Sequence, residues 1–114
     1  MDSHRREKIN DLIRDEVGKI LHRELDLDVE ALVTVTRAVV SEDLNHVRVY
    51  VSVFPLDAGR QALESINRSI YFFQQTLNKK LQMRPVPKLF FVLDETEERA
   101  AKIENVTRRI KETS

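Results

Sequence analysis

Four cations, Lys79, Lys80, Arg84 and Lys88, fall within ten consecutive residues that include no acid. Cations clustered in this way bind a line of phosphates by displacing its counterions. The segment is therefore the first candidate for contact with nucleic acid. The competing explanation is local, since Lys and Arg are also favoured at a helix C-terminus, where they complement the carbonyl end of the dipole. A second group, Arg5, Arg6 and Lys8, opens the chain on what reads as a helix N-terminus. Cations there oppose the dipole, and that unfavourable placement favours a binding role. Asn67, Arg68 and Ser69 flank an expected kink in a long helix, where helix propensity is weak and short polar groups suit RNA backbone and 2′-hydroxyls. Their alternative is an ordinary polar helix face.

Aromatic residues extend the set. Tyr50, which alternates with core valines beside Arg48, can stack on a base, but such a tyrosine is more often packed under a neighbouring helix. In Ile70-Tyr71-Phe72-Phe73, Phe73 lies on the apolar stripe and belongs to the core, whereas Tyr71 and Phe72 point elsewhere and are expected to be exposed.

Catalytic chemistry finds little support. There is no cysteine, which removes disulfides, thiolate metal sites and thiol nucleophiles. His4, His22 and His46 lie on different elements without metal-ligand spacing. With Gly18 and Gly59 as the only glycines, no phosphate loop can form. Asp43 and Asp94 sit at strand ends, where the first is expected to close a turn and the second to cap a helix. No enzyme activity, cofactor or metal is expected.

The elements that must position these residues follow from periodicity. Ser3 can cap a first helix, expected over residues 5–25, whose apolar face carries Ile9, Leu12, Ile13, Val17, Ile20, Leu21 and Leu25. Gly18 inside it costs about 1 kcal/mol relative to Ala and suggests close packing against another backbone. Residues 32–40 are β-branched and read as a strand. After a turn at residues 41–45, Val47, Val49, Val51 and Val53 alternate with Arg48, Tyr50, Ser52 and Phe54 in a second strand, antiparallel to the first. Pro55 ends it and Asp57 is expected to cap a long helix over residues 58–83, with Leu63, Ile66, Ile70, Phe73, Leu77 and Leu81 inward and a break plausible at residues 67–69. Pro85 and Pro87 stop that helix. Leu89-Phe90-Phe91-Val92-Leu93 reads as a buried third strand reached by a crossover, hence parallel. Asp94 and Glu97 form a variant capping box for a last helix carrying Ala100, Ile103, Val106 and Ile110. The fold class is α+β, with helices packed on one face of a three-stranded mixed sheet.

With those elements in order, the chain resembles the bacterial ribosome-binding factor A family. The resemblance rests on three blocks: Arg5 and Arg6 followed by Ile9, Ile13, Glu16-Val17 and Ile20-Leu21; Val33-Thr34-Val35-Thr36, Ser41-Glu42-Asp43-Leu44 and residues 47–54; and Arg84-Pro85-Val86-Pro87-Lys88-Leu89-Phe90-Phe91-Val92-Leu93-Asp94. It implies a type II KH-like domain in α-β-β-α-(kink)-α-β-α order. It also implies binding to the free small (30S) ribosomal subunit and its 16S rRNA, help in late assembly and 5′-end maturation, and importance in the cold. Assembly GTPases are candidate further partners that no residue pattern specifies. Two departures stand out. Asp28-Val29 replaces the family's Asp-Pro, and Ser69-Ile70-Tyr71 stands where members kink the long helix at Ala-x-Gly. Either the kink uses another geometry here, or the helix is straighter.

Composition bounds the reading. The 114 residues suit one domain, here a single KH-like RNA-binding unit over residues 1–114. Hydrophobic residues make up 41%, too many for a disordered chain. The opening residues lack a signal-peptide core, no apolar run is long enough for a bilayer span, and the absence of cysteine fits a reducing cytoplasm; a cytoplasmic protein is expected, and a monomer. The formal charge is zero, which argues against binding by bulk charge and leaves local patches to decide. A protein-interaction module or homodimer built on an open sheet edge is the competing reading.

Overall fold

The structure, a computed structural model, describes residues 3–23 and 30–96. Helix α1 (Ser3–Arg23) leads into strands β1 (Leu32–Val40) and β2 (His46–Phe54). A 3₁₀ turn, Leu56–Ala58, then opens helix α2 (Gly59–Arg68), followed by α3 (Ile70–Lys80) and β3 (Lys88–Leu93). The helix expected over Ala100 to Ile110, Glu97 of its capping box and the end of α1 at Leu25 lie outside the described residues.

The strands form one sheet in the order β1-β2-β3, antiparallel between β1 and β2 and parallel between β2 and β3. The valine alternation decides its two faces. Val47, Val49, Val51 and Val53 are buried with Ile13, Val17 and Ile20 of α1, Ala62 and Ile66 of α2, and Phe73 and Leu77 of α3. All described helices therefore cover one face, and Arg48, Tyr50, Ser52 and Phe54 project from the other.

One row crosses the whole molecule. Asn10 Oδ1 accepts the Val40 N–H at 2.8 Å, Val40 pairs with Val47, Val47 pairs with Leu89, and the Leu89 N–H donates to Gln74 Oε1 at 2.9 Å. Asn10 and Gln74 thus occupy outward backbone groups of both edge strands at this end, which blunts the edge-pairing alternative. Gln74 Nε2 also donates to Pro87 O at 3.2 Å.

Several local expectations change. The long helix does break, with Ser69 as the single non-helical residue at φ −104°, ψ 13°. Its N–H donates to Ile66 O and its carbonyl accepts the Phe73 N–H, so the break needs no left-handed glycine. Asp57 does not cap the helix; it lies in the 3₁₀ turn, and Ala58 holds the cap position without a side-chain bond. Helix α3 ends at Lys80, not Met83, because Leu81 turns extended at φ −89°, ψ 140° to bury its side chain while the chain heads for β3. Leu12 is exposed, lying at the margin of a stripe centred on Ile13, Val17 and Ile20. A Cβ built on Gly18 would meet nothing within 4 Å, so close packing is not its reason. Finally, β3 is buried on one face only: Leu89 and Phe91 point into the core, and Phe90 is 43% exposed on the other face.

Candidate nucleic-acid interface

The direction of the helices brings the basic segments to one end of the sheet. Alongside β1, Asn10 lies at Val40 whereas Gly18 and His22 lie near Thr34 and Val35, so α1 runs antiparallel to the strand and its first turns project past the Val40 end. Gly59, at the start of α2, faces Leu93, and Gln74 faces Leu89. The α2–α3 segment therefore also runs against β3, and Lys79 and Lys80 project past the Lys88 end. Arg5, Arg6 and Lys8 on one helix and Lys79 and Lys80 on another thus share an end with Arg84 and Lys88.

Within that end the cations have different tasks. Lys79, Lys80 and Lys88 are exposed, and among the described residues none forms an ion pair. Arg84 is largely occupied. Its Nη1 donates to Leu81 O and Met83 O, each at 2.7 Å, and its Nη2 donates to Asn78 O at 3.1 Å. It closes the carbonyl end of α3, as the dipole argument allowed. Its charge remains at the site, but most of its geometry belongs to the fold.

Between α3 and the start of β3 lies a cavity of about 620 Å³, lined by apolar Ile70, Pro85, Val86 and Leu89, the aromatic Tyr71, the amides of Gln74 and Asn78, and the cations Arg84 and Lys88. Tyr71 is 75% exposed and Phe72 is 42% exposed, as their positions off the stripe implied. A mostly apolar groove with one free aromatic ring and cations at its border suits a flat heterocycle with its phosphates outside. Asn67 and Arg68 are exposed in the last turn of α2, and Ser69 is half-buried at the break, directly before Ile70 and Tyr71 of the groove. The groove itself, and Gln74 and Asn78 within it, escaped sequence reasoning. The available signal was the pair of amides four residues apart on α3, which share a helix face.

The carboxylates near strand ends behave differently. Asp43 accepts the Ser41 hydroxyl at 2.6 Å and the Asn45 N–H at 3.0 Å, closing the β1–β2 turn; these bonds hold its carboxyl below the usual range. Asp94 accepts the Thr96 hydroxyl at 2.6 Å and the Thr96 N–H at 3.0 Å on one oxygen, and the Thr36 hydroxyl at 2.7 Å on the other. Bonds from Thr96 and Thr36 hold it at about 2. Thr36 is the extra residue at the register shift between Val35 and Arg37, so the bulge aims its hydroxyl at Asp94. Both carboxylates serve structure. Tyr50 packs under none of the described helices: it lies on the opposite face of the sheet from them, with the Arg37 guanidinium carbon 4.0 Å from its ring centroid.

Comparison with known proteins agrees with this architecture. The family model described as ribosome-binding factor A matches residues 5–107. Ribosome-binding factor A of Clostridium botulinum is 31% identical over an alignment covering 98% of this chain and 95% of the relative. That of Thermomicrobium roseum is 32% identical, covering 98% and 88%. The crystal structure of ribosome-binding factor A from Thermus thermophilus superposes with a TM-score of 0.68 at 22% identity, covering 77% of this chain and 93% of that one. A homology model of the Thermus thermophilus factor, fitted into a cryo-EM map of a 30S complex, gives a TM-score of 0.60 at 24% identity, covering 75% and 90%.

Proposed function

Because the chain belongs to the ribosome-binding factor A family, we propose that it binds the free small ribosomal subunit and acts late in its assembly, as a non-catalytic, single KH-like RNA-binding domain. The relative fitted into a 30S complex supports the choice of partner. The observation that carries the reading is the apolar groove bordered by Lys88 and Arg84, with Lys79 and Lys80 following its Asn78 in the last turn of α3 and none of the three lysines in an ion pair with a described carboxylate. Phosphates of 16S rRNA engage these lysines while a base enters the groove and meets Tyr71. Arg5, Arg6 and Lys8, at the same end, extend the contact to a neighbouring stretch of backbone. Asn67, Arg68 and Ser69 approach the sugar hydroxyls at the far end of the groove. Arg84 contributes charge and holds the loop that shapes the groove. Occupancy of immature RNA in this way favours correct 5′-end processing.

Crosslinking to cellular RNA tests the proposal. The intact chain should crosslink to 16S rRNA and co-sediment with free small subunits. Lys79→Glu with Lys80→Glu should lower subunit affinity roughly a hundredfold, from loss of two charge-assisted contacts, with the fold retained. Unchanged co-sedimentation of that double variant would reject the proposed RNA face.

A further inference from the structure

The sheet face turned away from the described helices carries its own ordered set of cations and aromatics. Register places Val39, Arg48 and Phe90 in one cross-strand row and Arg37, Tyr50 and Val92 in another, with His46 paired to Lys88 beside them. The Lys88 Nζ lies 5.9 Å from the Phe90 ring centroid, and the His46 ring lies 5.7 Å from it at a tilt of 42°. Phe90 nevertheless remains 43% exposed, and Phe54, further along the same face, is 70% exposed. Among the described residues, Arg37, Arg48 and Lys88 form no ion pair. The carboxylates at its margins are Asp43, hydrogen-bonded to Ser41, Asp94, hydrogen-bonded to Thr36 and Thr96 with the Arg37 charge nearby, and Glu95, which shares a cleft with Arg37 and Tyr50.

We propose that this open face is a second RNA contact, distinct from the α3–β3 groove, which takes single-stranded nucleotides by stacking a base on Phe90 with flanking phosphates on Arg48 and Lys88. Arg48 and Lys88, the cations on either side of Phe90 that no described carboxylate pairs, select an anionic ligand. The interleaved rings select one whose bases are free to stack, since a duplex offers this face phosphates and leaves the aromatics unused. Lys88 stands at the ridge between groove and face, so one strand of RNA can pass from one to the other. The inference rests on the RNA-binding reading above.

The test measures binding of a fluorescent single-stranded RNA of about twelve nucleotides, within the length one small domain covers, and co-sedimentation with free small subunits. Arg48→Gln and Phe90→Leu should each weaken oligonucleotide binding about tenfold, and Phe90→Trp should retain it, because stacking needs a ring and not merely apolar bulk. Wild-type binding by Arg48→Gln and Phe90→Leu overturns the inference. Loss of subunit association with unchanged oligonucleotide binding also overturns it, and assigns the face to a protein of the subunit. The Lys79→Glu/Lys80→Glu variant, measured in parallel, separates the two readings: its failure to lose affinity counts against the groove alone, whereas wild-type behaviour of the Phe90 series counts against the sheet face alone.

Discussion

The two ends of β3 handle charge in opposite ways. At its close, Asp94 receives three hydrogen bonds, two from Thr96 and one from the β1 bulge residue Thr36, and its carboxyl is held at about 2. At its start, Lys88 stands with Lys79 and Lys80 without a described ion-pair partner, and only Arg84 is bound inward. A charge satisfied by its own fold contributes to stability and has little left for a ligand. A charge left to water keeps its interaction energy for a partner. The same strand thus presents a fastening at one end and the proposed binding edge at the other.

Substitutions can break this contrast. The largest stability effect should come from Gln74→Ala, which removes the amide that pairs with Pro87 O and the Leu89 N–H at the edge of β3. Losing both bonds at a half-buried site should cost about 2–3 kcal/mol in urea unfolding. Arg84→Ala should cost about 1–2 kcal/mol by freeing the carbonyls of Asn78, Leu81 and Met83, the bonds being partly solvent-screened. If Arg84→Ala instead left stability untouched, its assignment to the fold would be wrong.

Much of this architecture was legible in the residues themselves. The valines at 47, 49, 51 and 53 announce a half-buried strand, and the stripe through Phe73 and Leu77 announces the helix above it, because both signals depend only on local period. The break at Ser69 was legible as weak propensity, but not its geometry, which lacks the positive φ that a glycine would supply. The inward bonds of Arg84 to the carbonyls of Asn78, Leu81 and Met83 were not legible, because they depend on the extended path the chain takes as it leaves α3 at Leu81. Leu89-Phe90-Phe91-Val92-Leu93 looked uniformly buried because an unbroken apolar run hides which face is covered. The lysines at 79, 80 and 88 were readable as a cluster; that they share an end of the sheet with α1's first turns depends on topology.

At the fastened end the effects should be smaller. Thr36→Val should cost about 1 kcal/mol and let the Asp94 carboxyl rise. The pH dependence has a defined sign. Asp94 falls from its ordinary 3.8 to about 2 in the fold, so its bonds stabilise fully above about pH 4 and are lost as pH falls through 2. Urea unfolding of wild type and Asp94→Asn should therefore differ most above pH 4 and converge near pH 2; a constant gap would contradict the role given to the ionised carboxylate. The smallest effect should be of opposite sign: Gly18→Ala has room for its Cβ and should stabilise by roughly 0.5–1 kcal/mol.

The most direct test of a binding edge made of unneutralised lysines is the salt dependence of small-subunit association. Each phosphate contact contributes about one unit to the slope of log affinity against log salt. Lys79→Gln with Lys80→Gln should make the slope about two units shallower than wild type, while Thr36→Val should leave it unchanged. Equal slopes for wild type and the double lysine variant would contradict the account.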